Sequence, residues 1–208
     1  MVTCCHFCKI ASKIEVEAEH DRPILESNEY FAIPSIGGFV EGWSLVCPRD
    51  HMLSLRQHYS RESFHSFLRI VTERISKCYG RVVMFEHGSS CAGSPTSCGT
   101  DHAHLHVVPL RFSLVEQLMQ CGRSWQQVRA SYISQIAIHD EYLFYTDDVQ
   151  SNDPIGLLHV LKEPTSQFFR YFVAKALQCE EEYDYRKFPF LPLAVRTRTA
   201  LAGSAQDY

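Results

Sequence analysis

The sequence predicts an α+β fold, in which helices pack on a twisted and mainly antiparallel β-sheet. Residues 39–48 and 82–86 are rich in β-branched and aromatic side chains and are bounded by glycine or proline, which is typical of strands. Residues 142–146 (YLFYT) have the same character. Between the first two strands, apolar side chains recur at the spacing of one helical face, which predicts an amphipathic helix lying on the sheet. These side chains are Phe64, Phe67, Leu68, Val71 and Ile75.

The boundaries of the remaining elements follow from local signals. Ser60 is placed to cap the start of the amphipathic helix, and Gly80 lies beyond its end. Residues 113–130 and 165–178 are predicted to form further helices. Residues 87–101 are rich in glycine and serine and contain a proline, so we expect a loop there. Loops of this length in a compact domain are often functional.

Length, composition and charge limit the class of protein. A chain of 208 residues can bury one substantial core, and 45% hydrophobic with 21% charged residues is typical of a globular protein. No apolar run approaches the roughly 20 residues of a membrane span, and the N-terminus lacks a secretory pattern, so we expect a cytoplasmic protein. The net charge of −4 provides no basic field for a long nucleic acid. Nine cysteines, an odd number, argue against a disulfide framework in a reducing compartment.

Residues 102–108 (HAHLHVV) place three histidines at alternate positions of an apolar stretch. On a strand, His102, His104 and His106 share one face and the apolar residues take the other. At about 3.3 Å per residue the outer two are anchored about 13 Å apart, too far for all three to surround one metal ion easily. A neutral imidazole can act as nucleophile, hydrogen-bond donor or metal ligand, so the spacing favours separate tasks along a substrate over a chance surface pattern.

Two segments resemble a known family. HAHLHVV fits the motif His-φ-His-φ-His-φ-φ, where φ is apolar, and residues 42–51 (GWSLVCPRDH) look like a strand that ends in a Pro-basic-x-His turn. The chain therefore resembles the histidine-triad (HIT) superfamily, in its zinc-containing CxxC form with a C-terminal extension. The resemblance covers about residues 4–110. It implies a HIT-like fold.

The same resemblance suggests how the chain is divided. It implies a histidine-triad core domain with an N-terminal zinc site over residues 1–110. The following segment, residues 111–199, is expected to be a mixed extension packed on that core. Residues 200–208 are small and polar, so we expect a disordered tail.

The resemblance implies nucleotidyl transfer or hydrolysis at the α-phosphate of a small nucleotide. His104 would attack phosphorus and form a covalent nucleotidyl-imidazole, which water or an acceptor phosphate then breaks. His106 would contact the α-phosphate as a hydrogen-bond donor, unless it is a structural histidine. Two alternatives stay open: a catalytically weak module that binds a nucleotide or RNA end in an assembly, and a site in which the histidines hold a catalytic metal. Many relatives are dimers, so a homodimer is a further expectation.

A second motif, CxxC, lies near the N-terminus. Taken alone, Cys5 and Cys8 are compatible with a metal site, a redox pair or inert thiols. Resemblance to zinc-bearing members, including the galactose-1-phosphate uridylyltransferase branch, implies that they join His51 and His102 in a structural Cys₂His₂ zinc site. Cys4 is the competing thiol, but a ligand pair of Cys4 and Cys8 fits the spacing less well.

Three further residues are candidates for substrate binding. Trp43 stands where relatives usually carry histidine; it could stack on a base or be a buried aromatic residue. His87 stands where relatives usually carry a polar residue, so it could contact ribose or phosphate, or be an exposed loop histidine. Arg170 could reach a phosphate from the extension, and residues 182–186 could cover the site as a lid.

Overall fold

The computed structural model describes residues 5–14 and 16–203. These residues form one eight-stranded sheet with the order β1-β2-β3-β5-β4-β7-β8-β6, and every paired strand is antiparallel to its neighbour. The combination of helices with a single antiparallel sheet confirms the α+β part of the predicted fold. The strands are β1 (Leu25–Glu26), β2 (Tyr30–Pro34), β3 (Ser44–Pro48), β4 (Val82–Gly88), β5 (Leu105–Pro109), β6 (Gln126–Arg129), β7 (Tyr142–Thr146) and β8 (Ile155–Val160).

Six α-helices of the described chain lie on this sheet: α1 (His6–Ala11), α2 (Glu62–Tyr79), α3 (Val115–Gln120), α4 (Ile133–Ile136), α5 (Phe168–Ala176) and α6 (Leu191–Ala202). The longest, α2, buries the predicted apolar stripe on one sheet face. It begins after Arg61 rather than Ser60, and it ends at Gly80, whose φ of 87° interrupts the helix. Helices α1 and α5 cover the opposite face. Among the described residues, no helix is both long and apolar enough to span a membrane.

The pleat of the strands assigns the histidines to the face covered by α1 and α5. Ala103, Leu105 and Val107 pack in the core beneath α2, so the alternating histidines point the other way. The regular strand β5 begins only at Leu105, because the Ala103 amide donates to Met52 O at 2.6 Å instead of pairing within the sheet. A register slip of one residue would bury the imidazoles under α2, so the apolar side chains fix their orientation.

Several predicted boundaries are wrong, each for a local reason. Residues 113–130 are helical only in α3, because Gly122 turns the chain at a φ of 78° and the following residues pair with β8 as edge strand β6. The strand predicted from residue 39 begins at Ser44, after a turn at Gly42. The helix predicted over 165–178 is the shorter α5, which begins after Gln167 in a left-handed conformation.

The C-terminal half is integrated into the sheet. Strand β7 pairs with β4 of the predicted core domain, and β8 and β6 continue the sheet outward. The extension over 111–199 therefore adds three strands to the sheet, besides placing α5 on its face. The expected disorder from residue 200 is contradicted up to Ala202, because α6 continues and buries Leu201. Residues 204–208 of that predicted tail lie outside the described residues.

Candidate functional site

Four predicted metal ligands meet beside the sheet. Cys5 immediately precedes α1, Cys8 lies in its first turn, His51 follows β3 and His102 precedes β5. Their ligand atoms all lie within 4.8 Å of one another. Cys8 Sγ is 3.3 Å from His51 Nδ1, and both sulfur atoms are 3.5 Å from His102 Nδ1. This cluster could hold a metal ion. Cys4 lies outside the described residues.

The protein fixes the orientation of the buried ligand His102. Its Nε2–H donates to Pro48 O at 2.8 Å, which leaves Nδ1 unprotonated and directed at the two sulfur atoms. Burial lowers the pKa of His102 to about 4, and the backbone hydrogen bond only partly opposes this effect. The imidazole is therefore neutral at pH 7, the form in which histidine binds metals.

His104 lies two residues after His102, and its side chain leaves one ring nitrogen available to a ligand. Its Nδ1–H donates to His102 O at 2.8 Å, so Nε2 carries the lone pair. Burial lowers the pKa of His104, and the positive charge of Arg170 lowers it further. The ring lies 5.0 Å from that of His106 and meets Phe7 of α1 edge-on at 5.7 Å. His104 is thus held as a neutral imidazole suited to nucleophilic attack.

His106 and His87 each accept a hydrogen bond from the protein, whereas His102 and His104 each donate one. Trp43 Nε1–H donates to His106 Nδ1 at 3.0 Å, and the Phe169 amide donates to His87 Nε2 at 3.3 Å. Burial lowers the pKa of both imidazoles, to about 3 for His87. Each neutral ring therefore carries its proton on the other nitrogen, His106 on Nε2 and His87 on Nδ1. His87 Nδ1 has no hydrogen-bond partner among the described residues.

Arg170, on α5, contributes a buried positive charge. It is 3% exposed; its Nε donates to Tyr183 O at 3.0 Å and its Nη2 donates to Gly37 O. Within the described chain no carboxylate forms an ion pair with it, and the neighbouring Asp184 pairs with Lys187. Desolvation lowers the pKa of Arg170 to about 10, so it remains a cation at pH 7. A buried cation without a counter-ion is suited to an anionic ligand.

Three of the groups described above, His104, His106 and Arg170, line one pocket. The side chains of Phe7 and Leu45 belong to its apolar wall. The pocket lies on the sheet face between α1 and α5, and it is enclosed further by the segment that follows α5. The other lining residues are His6, Ile33, Pro34, Ile36, Cys98, Thr100 and Tyr185.

Tyr185 belongs to the segment that was expected to form a lid. Its hydroxyl donates to Cys98 O at 2.5 Å, and its amide donates to Gln167 Oε1 at 3.1 Å. Nearby, the Gly37 amide donates to Pro189 O at 2.6 Å. The segment is thus fastened along the pocket by hydrogen bonds from three different parts of the chain.

The candidate binding residues take different places. Arg170 lines the pocket that also contains His104 and His106. Trp43 is 1% exposed and lies behind His106, so it presents no face on which a base could stack. His87 is buried rather than an exposed loop histidine, with its ring 6.0 Å from that of His106.

Sequence reasoning missed Phe7 as a pocket residue and included Tyr185 only as part of the possible lid over residues 182–186. Phe7 could have been noticed, because it stands between the two cysteines of the CxxC motif and must lie close to any site that they form. The contacts of Tyr185 could not be predicted, since they are made with residues far away in the sequence. Buried Glu86, also missed, accepts hydrogen bonds from the Leu55 amide and from the hydroxyls of Tyr59 and Tyr142, and so anchors β4 next to His87.

Comparisons with known proteins give little further information. No family model matches the chain, and no curated protein matches it. Among solved structures, a hypothetical histidine triad nucleotide-binding protein from Sulfolobus tokodaii strain 7 is similar over 98% of both chains, with 16% sequence identity and a TM-score of 0.40. Similarity at this level does not establish a function for this chain.

Proposed function

We propose that this protein is a nucleotide hydrolase or nucleotidyltransferase that acts at an α-phosphate through a covalent intermediate on His104. One observation carries the proposal: a proton-accepting imidazole, a proton-donating imidazole and an unpaired buried cation line one pocket. His104 offers a lone pair, His106 offers an N–H, and Arg170 offers a positive charge. A phosphate group complements all three, since its phosphorus is electrophilic and its oxygens are anionic acceptors.

The chemistry proceeds in two displacements. Nε2 of His104 attacks phosphorus, a P–N bond forms, and the leaving-group oxygen departs with the electron pair of the broken P–O bond. The hydrogen bond from Nδ1–H to His102 O stabilises the positive charge that develops on the ring. Water, which releases a proton to solvent, or an acceptor phosphate then attacks phosphorus and returns the P–N electron pair to Nε2.

The remaining pocket surface supports a nucleotide as the phosphate carrier. Phe7, Ile33 and Leu45 provide an apolar wall of the kind that a base and ribose can cover. The resemblance to the histidine-triad superfamily points to the same substrate class, with the central histidine as nucleophile. The net charge of −4 remains in favour of a small nucleotide over a long nucleic acid.

We further propose that the Cys₂His₂ cluster binds structural zinc. A tetrahedral zinc with Zn–S of about 2.3 Å and Zn–N of about 2.0–2.1 Å separates sulfur and nitrogen ligands by about 3.5 Å. The sulfur–nitrogen distances of 3.3 and 3.5 Å fit this requirement. Four protein ligands leave no open position, so zinc would supply a fixed link between α1 and the segments that carry His51 and His102.

Intact-protein mass spectrometry tests the proposal. The full chain is incubated briefly with nucleoside diphosphates, dinucleoside polyphosphates or nucleotide sugars, beside His104→Ala and a matched control, His139→Ala, at an exposed position. We expect a mass increase of one nucleoside monophosphate in the wild type and in the control, and none in His104→Ala. Nucleotide binding without adduct or turnover would instead support a binding module, and absence of both would refute the proposal.

A further inference from the structure

We propose that Trp43 is a positioning residue that fixes the proton of His106 on Nε2, the nitrogen that remains free for a ligand. Trp43 lies behind the pocket and orients the donor His106 rather than contacting a ligand itself. The use of this N–H toward a phosphate rests on the proposed function. The position of the proton, by contrast, is a property of the ligand-free chain.

The indole can only be a donor in this contact. Its Nε1–H lies 3.0 Å from His106 Nδ1, and indole nitrogen has no lone pair to accept a hydrogen bond. A proton on Nδ1 would therefore place two N–H groups face to face. Both residues are buried, Trp43 at 1% and His106 at 5% exposure, so water is poorly placed to relieve that clash. The neutral ring is left with its proton on Nε2.

The surroundings keep this contact from rearranging. The Trp43 carbonyl accepts from the Ser35 amide at 2.9 Å, and its ring meets Phe39 edge-on at 5.2 Å. The His106 ring is stacked on Phe85 with centroids 4.6 Å apart. Rotation of either ring would break close aromatic packing, so the donor and the acceptor stay paired.

Trp43 also touches the second anion-binding group. The Arg170 guanidinium lies over the indole ring, 4.7 Å from the centroid. The edge of the indole thus orients the donor His106, while its face supports the cation. Phenylalanine at this position would keep an aromatic face for Arg170 but remove the N–H, which makes Trp43→Phe a selective change.

The ring-nitrogen spectrum of the ligand-free protein tests the inference. Long-range ¹H–¹⁵N correlation spectra distinguish the two neutral tautomers, and the His106 signals are identified by their loss in His106→Asn. In the wild type we expect the Nε2–H form in at least about tenfold excess over the Nδ1–H form. The Nε2–H form gains the hydrogen bond from Trp43 and avoids leaving the indole N–H unpaired, and together these two effects exceed the free energy that corresponds to a tenfold ratio. In Trp43→Phe we expect both forms to be populated.

Trp125→Phe is the matched control, because Trp125 Nε1 has no hydrogen-bond partner among the described residues. It should leave the His106 signals unchanged. If Trp43→Phe does not fold, a measurement on the wild-type protein still tests the inference. We expect a scalar coupling across the hydrogen bond from Trp43 Nε1–H to His106 Nδ1, and its absence overturns the inference.

The inference is also overturned if wild-type His106 carries its proton on Nδ1, or if a folded Trp43→Phe retains a pure Nε2–H form. These outcomes are independent of the covalent adduct. A protein with the expected spectrum that never forms an adduct would refute the proposed function and leave the role of Trp43 intact.

Discussion

Replacing Arg170 with glutamine tests whether the pocket is built for an anion. Arg170→Gln removes the buried charge and keeps a neutral N–H donor of shorter reach. Desolvation lowers the pKa of Arg170 from its ordinary value to about 10. At about 1.36 kcal/mol per pKa unit, the buried charge is disfavoured by about 3 kcal/mol, which an anion in the pocket could recover.

The hydrogen bonds that Arg170 would donate to a bound phosphate correspond to a similar free energy. Hydrogen bonds to charged groups contribute about 1.5–3 kcal/mol, so losing them should weaken binding of a nucleoside monophosphate by about 10- to 100-fold. Stability without ligand should change less. Arg170→Gln relieves the desolvation cost of about 3 kcal/mol, but it removes the hydrogen bonds from the charged guanidinium to Tyr183 O and Gly37 O, which contribute at least about 1.5 kcal/mol each, so the two effects largely cancel.

The assay is equilibrium binding of AMP together with thermal unfolding at increasing AMP concentration. The matched control is Arg123→Gln, whose guanidinium also lies over an aromatic ring, that of Phe168, but in a different groove. We expect AMP to raise the melting temperature of the wild type and of the control at concentrations that leave Arg170→Gln unaffected. Equal AMP affinity in all three proteins would refute the assignment of Arg170 as an anion-binding group.

Three further changes have distinct expected results. His104→Ala should abolish adduct formation but bind AMP within about threefold of the wild type, because Arg170 and His106 remain; a much larger loss of affinity would contradict the role of His104 as nucleophile. Cys8→Ser should lose the bound metal, measured by elemental analysis, and lower the melting temperature by more than about 10 °C, whereas exposed Cys78→Ser should change neither. His87 has a folded-state pKa of about 3, below its unfolded value of 6.5, so its contribution to stability is present above pH 6.5 and is lost as the pH falls toward 3. Urea titrations at several pH values measure how the free energy of unfolding rises with pH. His87→Gln should lower this slope by up to about 1.4 kcal/mol per pH unit. An unchanged slope would show that His87 is not buried as a neutral ring.

The sequence predicts a helix or strand well where its apolar residues recur regularly and pack against a single surface. Helix α2 and strand β7 are found nearly in full, because their apolar residues follow helical or strand character without interruption. Strand β2 was missed; all five of its residues are buried, so it shows no alternation of polar and apolar side chains. Strand β6 was assigned to a helix, since its pairing with β8 uses the backbone and leaves little trace in its exposed side chains.

In the candidate site, too, features that depend on local motifs are predictable and features that depend on long-range contacts are not. The four residues of the cluster that could hold a metal ion were predicted together, because CxxC and alternate histidines are patterns within short stretches, and the resemblance supplied their grouping. The tautomers were not predictable. His106 depends on Trp43, which is 63 residues away, and His87 depends on the Phe169 amide, 82 residues away. The sequence offers Arg170 only as a candidate phosphate contact, and the fold shows that it is buried and forms no ion pair with a carboxylate among the described residues.

The one-residue spacing between His102 and His104 links the Cys₂His₂ cluster to the proposed nucleophile. His102 directs Nδ1 at the two cysteines, donates Nε2–H to Pro48 O and accepts the Nδ1–H of His104 at its carbonyl. A shift of His102 would therefore disturb the hydrogen bond that selects the reactive tautomer of His104. Phe7, carried between the cysteines on α1, meets both imidazoles edge-on at 5.7 Å. Metal binding at this cluster would thus position the proposed nucleophile and one wall of its pocket without contacting the substrate.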